Sequence, residues 1–107
     1  MNSDWKAVIL APKTTGLPMT VHVMARGGAR HDVRIKVHRT HGKRMRADNT
    51  AEVGVRPVPH LVEDGLKPKD QIAAFQWASL NQAALVAYWE GRIDTGELLA
   101  RLQKVGA

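Results

Sequence analysis

The 107-residue chain contains no cysteine, which excludes disulfides and thiolate zinc sites and leaves the redox compartment open. No apolar run approaches the ~20 residues that a membrane-spanning helix requires. The opening MNSDWKAVILAPK is too short and has the wrong flanks for a signal peptide. These absences point to a cytoplasmic protein that makes no membrane contact. Aromatic residues are scarce, with one Phe, one Tyr and three Trp, and none of them lies between Arg26 and Arg46. A stacking platform for splayed bases is therefore not evident in that stretch. Neither a Ser-His-Asp spacing, a Walker loop nor a dinucleotide fingerprint is present, and there is no internal repeat, low-complexity segment or dividing linker.

Charge is present, and it is concentrated. Arg26, Arg30, Arg34, Lys36, Arg39, Lys43, Arg44 and Arg46 supply eight of the sixteen Lys/Arg against the single acid Asp32. The other 86 residues carry eight Lys/Arg and nine Asp/Glu, so the formal charge of +6 arises from one fifth of the chain. Charge concentrated in this way repels itself unless an anionic partner offsets it. With 44% hydrophobic residues the chain is too rich in core formers to be a disordered basic tail. Its length suits a single domain over residues 1–107, with a sheet region over 1–62 and a helical region over 66–105.

Trp5 to Ala11 reads as a strand ended by Pro12 and the turn residues 14–18. Residues 19–25 alternate, with Met19, Val21, Val23 and Ala25 on one side and Thr20, His22 and Met24 on the other. After Gly27-Gly28, HDVRIKVH gives the cleanest period-two pattern in the chain. It sets Val33, Ile35 and Val37 against Asp32, Arg34, Lys36 and His38. Residues 39–50 read as a basic loop, and AEVGVR at 51–56 as a further short strand that Pro57 and Pro59 limit or place at an edge.

Pro68 suits a first helical position, and Asp70 in the same turn complements the helix dipole. Trp77, Leu80, Ala84 and Tyr88 form an inward stripe flanked by Phe75, Leu85 and Trp89. The spacing predicts a long helix, with an interruption near Ser79 and Asn81, ended by Gly91. Asp94 and Glu97 make a capping box, with Ile93 and Leu98 as its staple, for a second helix over about Thr95–Lys104. The expected fold is α+β, a small antiparallel sheet of three to four strands packed by two C-terminal helices.

The eight basic residues are the candidate nucleic-acid contacts, at a density that suits a phosphate backbone. His31, His38 and His41 lie among them. Metal-independent RNA cleavage needs a base, an acid and cations around the phosphorane, and His with Arg/Lys can supply all three. His38-x-x-His41 is an incomplete metal set beside so many cations, so no metal or other cofactor is expected. Aromatics at helical spacing read as core, and an exposed Tyr88–Trp89 anchor, or a homodimer built on it, is the alternative.

His22-Val23 on a strand, the basic alternating strand after it, Gly65-Leu66, Pro68 and a helix carrying Trp77, Leu85 and Trp89 together resemble a small bacterial domain-of-unknown-function family (4160). The resemblance covers about residues 19–92. The family is often encoded in operons that look like toxin–antitoxin pairs, so the resemblance implies a bacterial or phage accessory protein of α+β form. The leading expectation is a small basic accessory protein that binds RNA or DNA through phosphates, in a toxin–antitoxin or phage–host conflict system. A metal-independent ribonuclease toxin is one alternative. The other is a phage-borne, anti-CRISPR-like inhibitor that recognises an acidic or nucleic-acid-related protein surface.

Overall fold

The computed structural model describes residues 7–42, 49–63 and 65–106. Five strands, β1 (Ala7–Leu10), β2 (Val21–Met24), β3 (Arg34–His38), β4 (Thr50–Gly54) and β5 (His60–Glu63), form one sheet in sequential order. Every neighbouring pair is antiparallel. The class agrees with expectation, and there is one strand more than the three to four read from the sequence. The additional strand, β5, is an edge strand with three of its four residues exposed. It shows little alternation because a bulge interrupts its pairing: Glu52 faces Glu63 but Val53 faces Leu61, which leaves Val62 over.

The alternating pattern sets the faces. Val21, Val23, Ile35, Val37, Ala51 and Val53 are buried in one core with Ala74, Trp77, Ala78, Leu85, Tyr88 and Trp89 from the helices. The helices therefore cover that face of the sheet, and no described helix covers the other. Val33 and Val55, just outside the strands, join the same core as expected.

A short helix, α1 (Pro12–Thr15), fills the β1–β2 connection. In place of one long helix there are two, α2 (Pro68–Leu80) and α3 (Gln82–Trp89), parted at Asn81. Asn81 is buried, and its amide Nδ2 donates to the carbonyls of Trp77 and Gln103 while its Oδ1 accepts from the Gln103 amide. The buried face of α2 carries Asp70, Ala74, Trp77 and Ala78, and Leu80, expected in the inward stripe, lies off that face and is 46% exposed. Pro68 occupies the first position of α2 as the sequence suggested.

α3 closes on Gly91 (φ +76°), with Arg92 N–H on the Ala87 carbonyl and Gly91 N–H on that of Tyr88, a Schellman arrangement. The last helix, α4 (Thr95–Arg101), carries the expected capping box between Asp94 and Glu97 and stops three residues before Lys104. Ile93 and Leu98 are both buried beneath it. Tyr88 and Trp89 are core rather than an exposed anchor.

Candidate nucleic-acid interface

β3 is the central strand, and its wholly buried Ile35 and Val37 force Arg34 and Lys36 to the uncovered face. Register then places Ile9, His22, Lys36, Glu52 and Glu63 in one row across all five strands. Cross-strand neighbours in such a row lie about 4.5–5.5 Å apart at Cβ. Arg34 Nη1 donates to Glu52 Oε1 at 3.1 Å. Among the described residues no carboxylate lies within ion-pair reach of Lys36, nor of Arg26 or Arg30.

The basic stretch is spread along β3 and does not gather into one patch. Arg26 and Arg30 are exposed in the β2–β3 connection at one end, and Arg39 follows the other end, its guanidinium lying over Gly65. Lys43, Arg44 and Arg46 fall outside the described residues. Cations thus occur at both ends of a five-residue strand and on the face between, a length of roughly 17 Å at about 3.4 Å per residue.

The three candidate histidines are not brought together. His31 stacks on Trp89 with ring centroids 5.4 Å apart, and its Nδ1 donates to the Asp32 carbonyl. His41, after β3, donates through Nε2 to both oxygens of Asp70 at 3.0 Å. Asp70, read from the sequence as a dipole partner, is buried there and clips the segment after β3 to the first turn of α2. His38 is wholly buried and lies against His22 at 5.3 Å. Neither nitrogen of His38, nor Nε2 of His22, has a hydrogen-bond partner among the described residues. Burial, then the nearby His38 and Lys36, hold His22 below its ordinary pKa, and burial does the same to His38. Both rings are consequently neutral at physiological pH.

Two contributors lie outside the basic stretch. The His60 ring packs over Gly54, its cross-strand partner, which has no Cβ to obstruct it, and its Nδ1 donates to the Val58 carbonyl. Arg56 makes a forked pair with Asp32 and reaches Glu90 Oε2 at 3.2 Å, while Arg92 holds Glu90 Oε1 at 3.0 Å. The Arg56 hydrogen bonds lower the Asp32 pKa, and those of Arg92 and then Arg56 lower that of Glu90. Arg34, Arg56 and His60 line a hollow of about 110 Å³ on the uncovered face, with Gly54 and Asp32 beside them. An isolated glycine inside a strand signals close approach of another group. Gly54 was therefore the one sequence clue to His60.

Among the described residues no three His, Asp or Glu side chains gather as a metal-ligand set, and no helix is long and apolar enough to cross a membrane. Comparison with protein-family models, curated proteins and solved structures returns no match.

Proposed function

We propose that the chain binds nucleic acid through its phosphates, using the sheet face that the helices leave uncovered. The observation that carries this reading is Lys36, a cation at the centre of that face with no acid paired to it among the described residues, flanked by Arg34 and by neutral His22. A duplex or folded strand lying along β3 meets Arg26 and Arg30 at one end and Arg39 at the other. Lys43, Arg44 and Arg46 add to the same electrostatic attraction by sequence. The hollow lined by Arg34, Arg56 and His60 supplies a seat for one phosphate. Half-buried cations on a rigid strand track a backbone without reading bases, and the scarcity of aromatic side chains on the face agrees with that mode.

The test is fluorescence anisotropy with matched RNA and duplex DNA across a salt series. A log K against log salt slope equivalent to roughly four or more neutralised phosphates is expected, and reversal of Arg34 and Lys36 to Glu abolishes binding while far-UV circular dichroism is unchanged. Negligible affinity at low salt would remove the reading and turn attention to an acidic protein partner.

The His41–Asp70 pair favours a second reading, general-base cleavage of RNA. A buried carboxylate orients an imidazole whose Nδ1 is left for substrate, the arrangement a general base requires. Cleavage that survives chelator and is lost in His41→Ala would select this enzyme. Kinship with family 4160, and with it a toxin–antitoxin or phage–host setting, belongs to the same proposal and rests on sequence pattern alone.

A further inference from the structure

A second cationic site lies on the helical side of the molecule, built from residues that the basic stretch does not include. Arg56 follows β4, Arg92 follows α3, and Arg101 is in the last turn of α4, yet all three line one open cleft of about 360 Å³. Exposed Pro57 and Ala83 and half-buried Val86 give it an apolar floor, and Gln82 lines it beside them. The volume lies at the lower end of the range for small-molecule sites, and an apolar floor with a few convergent polar groups is their usual make-up.

The charges decide what the cleft takes. Three guanidinium groups meet two carboxylates. Asp32 and Glu90 are engaged by Arg56 and Arg92, and no described carboxylate lies within reach of Arg101. Arg56 and Arg92 are therefore held in place with N–H groups to spare, while Arg101 brings a positive charge that no acid among the described residues offsets. Arginine presents a planar fork of donors matched to phosphate and carboxylate oxygens. Gln82 spends both amide hydrogens on the carbonyls of Val55 and Pro57, at 2.9 and 3.0 Å, so its Oε1 remains as an acceptor. Donors for an anion, an acceptor for an N–H or hydroxyl, and an apolar floor for a flat ring occur together.

We infer that this cleft binds a nucleoside phosphate monoester, with the phosphate on Arg92 and Arg101 and the base over Val86 and Ala83. The group can be a free mononucleotide or the 5′ end of a strand, since both present the same chemistry. The inference does not depend on the sheet face binding nucleic acid.

Isothermal titration calorimetry of the full chain with adenosine 5′-monophosphate, adenosine and inorganic phosphate tests it. The monophosphate is expected to bind more tightly than either fragment. Arg101→Gln, an exposed change, is expected to weaken it by about tenfold or more, whereas Lys69→Gln, an exposed change on α2 away from the cleft, leaves it unchanged. Short strands with and without a 5′-phosphate separate the two sources: a gain in affinity from the 5′-phosphate that Arg101→Gln removes assigns the strand end, and mononucleotide binding without such a gain assigns the free nucleotide. Adenosine binding as well as its monophosphate, inorganic phosphate binding as well as either, or full affinity in Arg101→Gln with unchanged thermal stability would each overturn the assignment. Absence of any heat at millimolar ligand would do the same.

Discussion

His22 and His38 face each other at 5.3 Å with three buried ring nitrogens that have no hydrogen-bond partner among the described residues. Their folded-state pKa values lie below the ordinary 6.5. The unfolded chain therefore takes up protons first as the pH falls. Stability is full above 6.5 and declines through that value towards the lowered folded-state values. Thermal unfolding followed from above 6.5 to below it should show a falling Tm before the carboxylates titrate. His38→Leu should flatten that slope without lowering the Tm at neutral pH, because the native ring makes no hydrogen bond to lose. A Tm independent of pH over this window would show that the pair is hydrated or bonded.

Asn81 sits at the joint between α2 and α3 and binds the backbone of Trp77 and Gln103 through three hydrogen bonds. Replacement by Ala leaves those groups to the partly dry interior, at a cost of about 1–3 kcal/mol. Urea unfolding measures it. A cost below about 0.5 kcal/mol would mean that the C-terminal segment is not anchored there.

Much of this was readable because it is local. Alternation alone fixes the two faces of β3 from Arg34 to Val37, whereas His38, expected beside Arg34 and Lys36, is wholly buried against His22; Asp94 with Glu97 marks the start of α4 within four residues. Asn81 signalled an interruption, but an apolar side chain three residues after Trp77 looks inward by spacing alone, and only the packing of α2 on Ala74, Trp77 and Ala78 leaves Leu80 exposed. β5 was hidden because an exposed, bulged edge strand shows little alternation, and Pro57 and Pro59 speak only to the end of the strand before it. α1 was hidden because four residues beginning at Pro12 resemble a turn. The Arg56 cluster was illegible for a different reason: its partners Asp32 and Glu90 lie 24 and 34 residues away, so only the folded chain assembles it.

The capping box offers a calibrated perturbation. Asp94 Oδ1 accepts from the Glu97 amide at 2.8 Å, and Glu97 Oε1 returns to the Asp94 amide at 3.0 Å. Asp94→Ala should cost about 1 kcal/mol, with Asp94→Asn or Asp94→Ser restoring most of it. Because α4 carries Arg101, the same variant should weaken mononucleotide binding in the helical cleft while leaving polynucleotide binding at the sheet face intact. Equal losses at both sites would mean that α4 supports the whole fold rather than one wall of the cleft.

Lys36 and Arg34 occupy the same face but differ in what already holds them, and that difference yields the most discriminating prediction. Lys36 has no paired acid among the described residues, so Lys36→Gln should remove one phosphate contact. The salt slope should become shallower by about 0.9 on duplex, or about 0.7 on a single strand. Arg34 is bonded to Glu52, which competes with any phosphate for the guanidinium. Glu52→Gln should therefore tighten polyanion binding by freeing Arg34 and by removing a negative charge opposite Lys36. In an Arg34→Gln background much of that gain should disappear. Lys69→Gln, an exposed change on α2, serves as the control and should leave the slope where it was. If Glu52→Gln weakens binding, the Arg34–Glu52 pair positions the site instead of restraining it. If Lys69→Gln alters the slope as much as Lys36→Gln, binding follows net charge and not the sheet face.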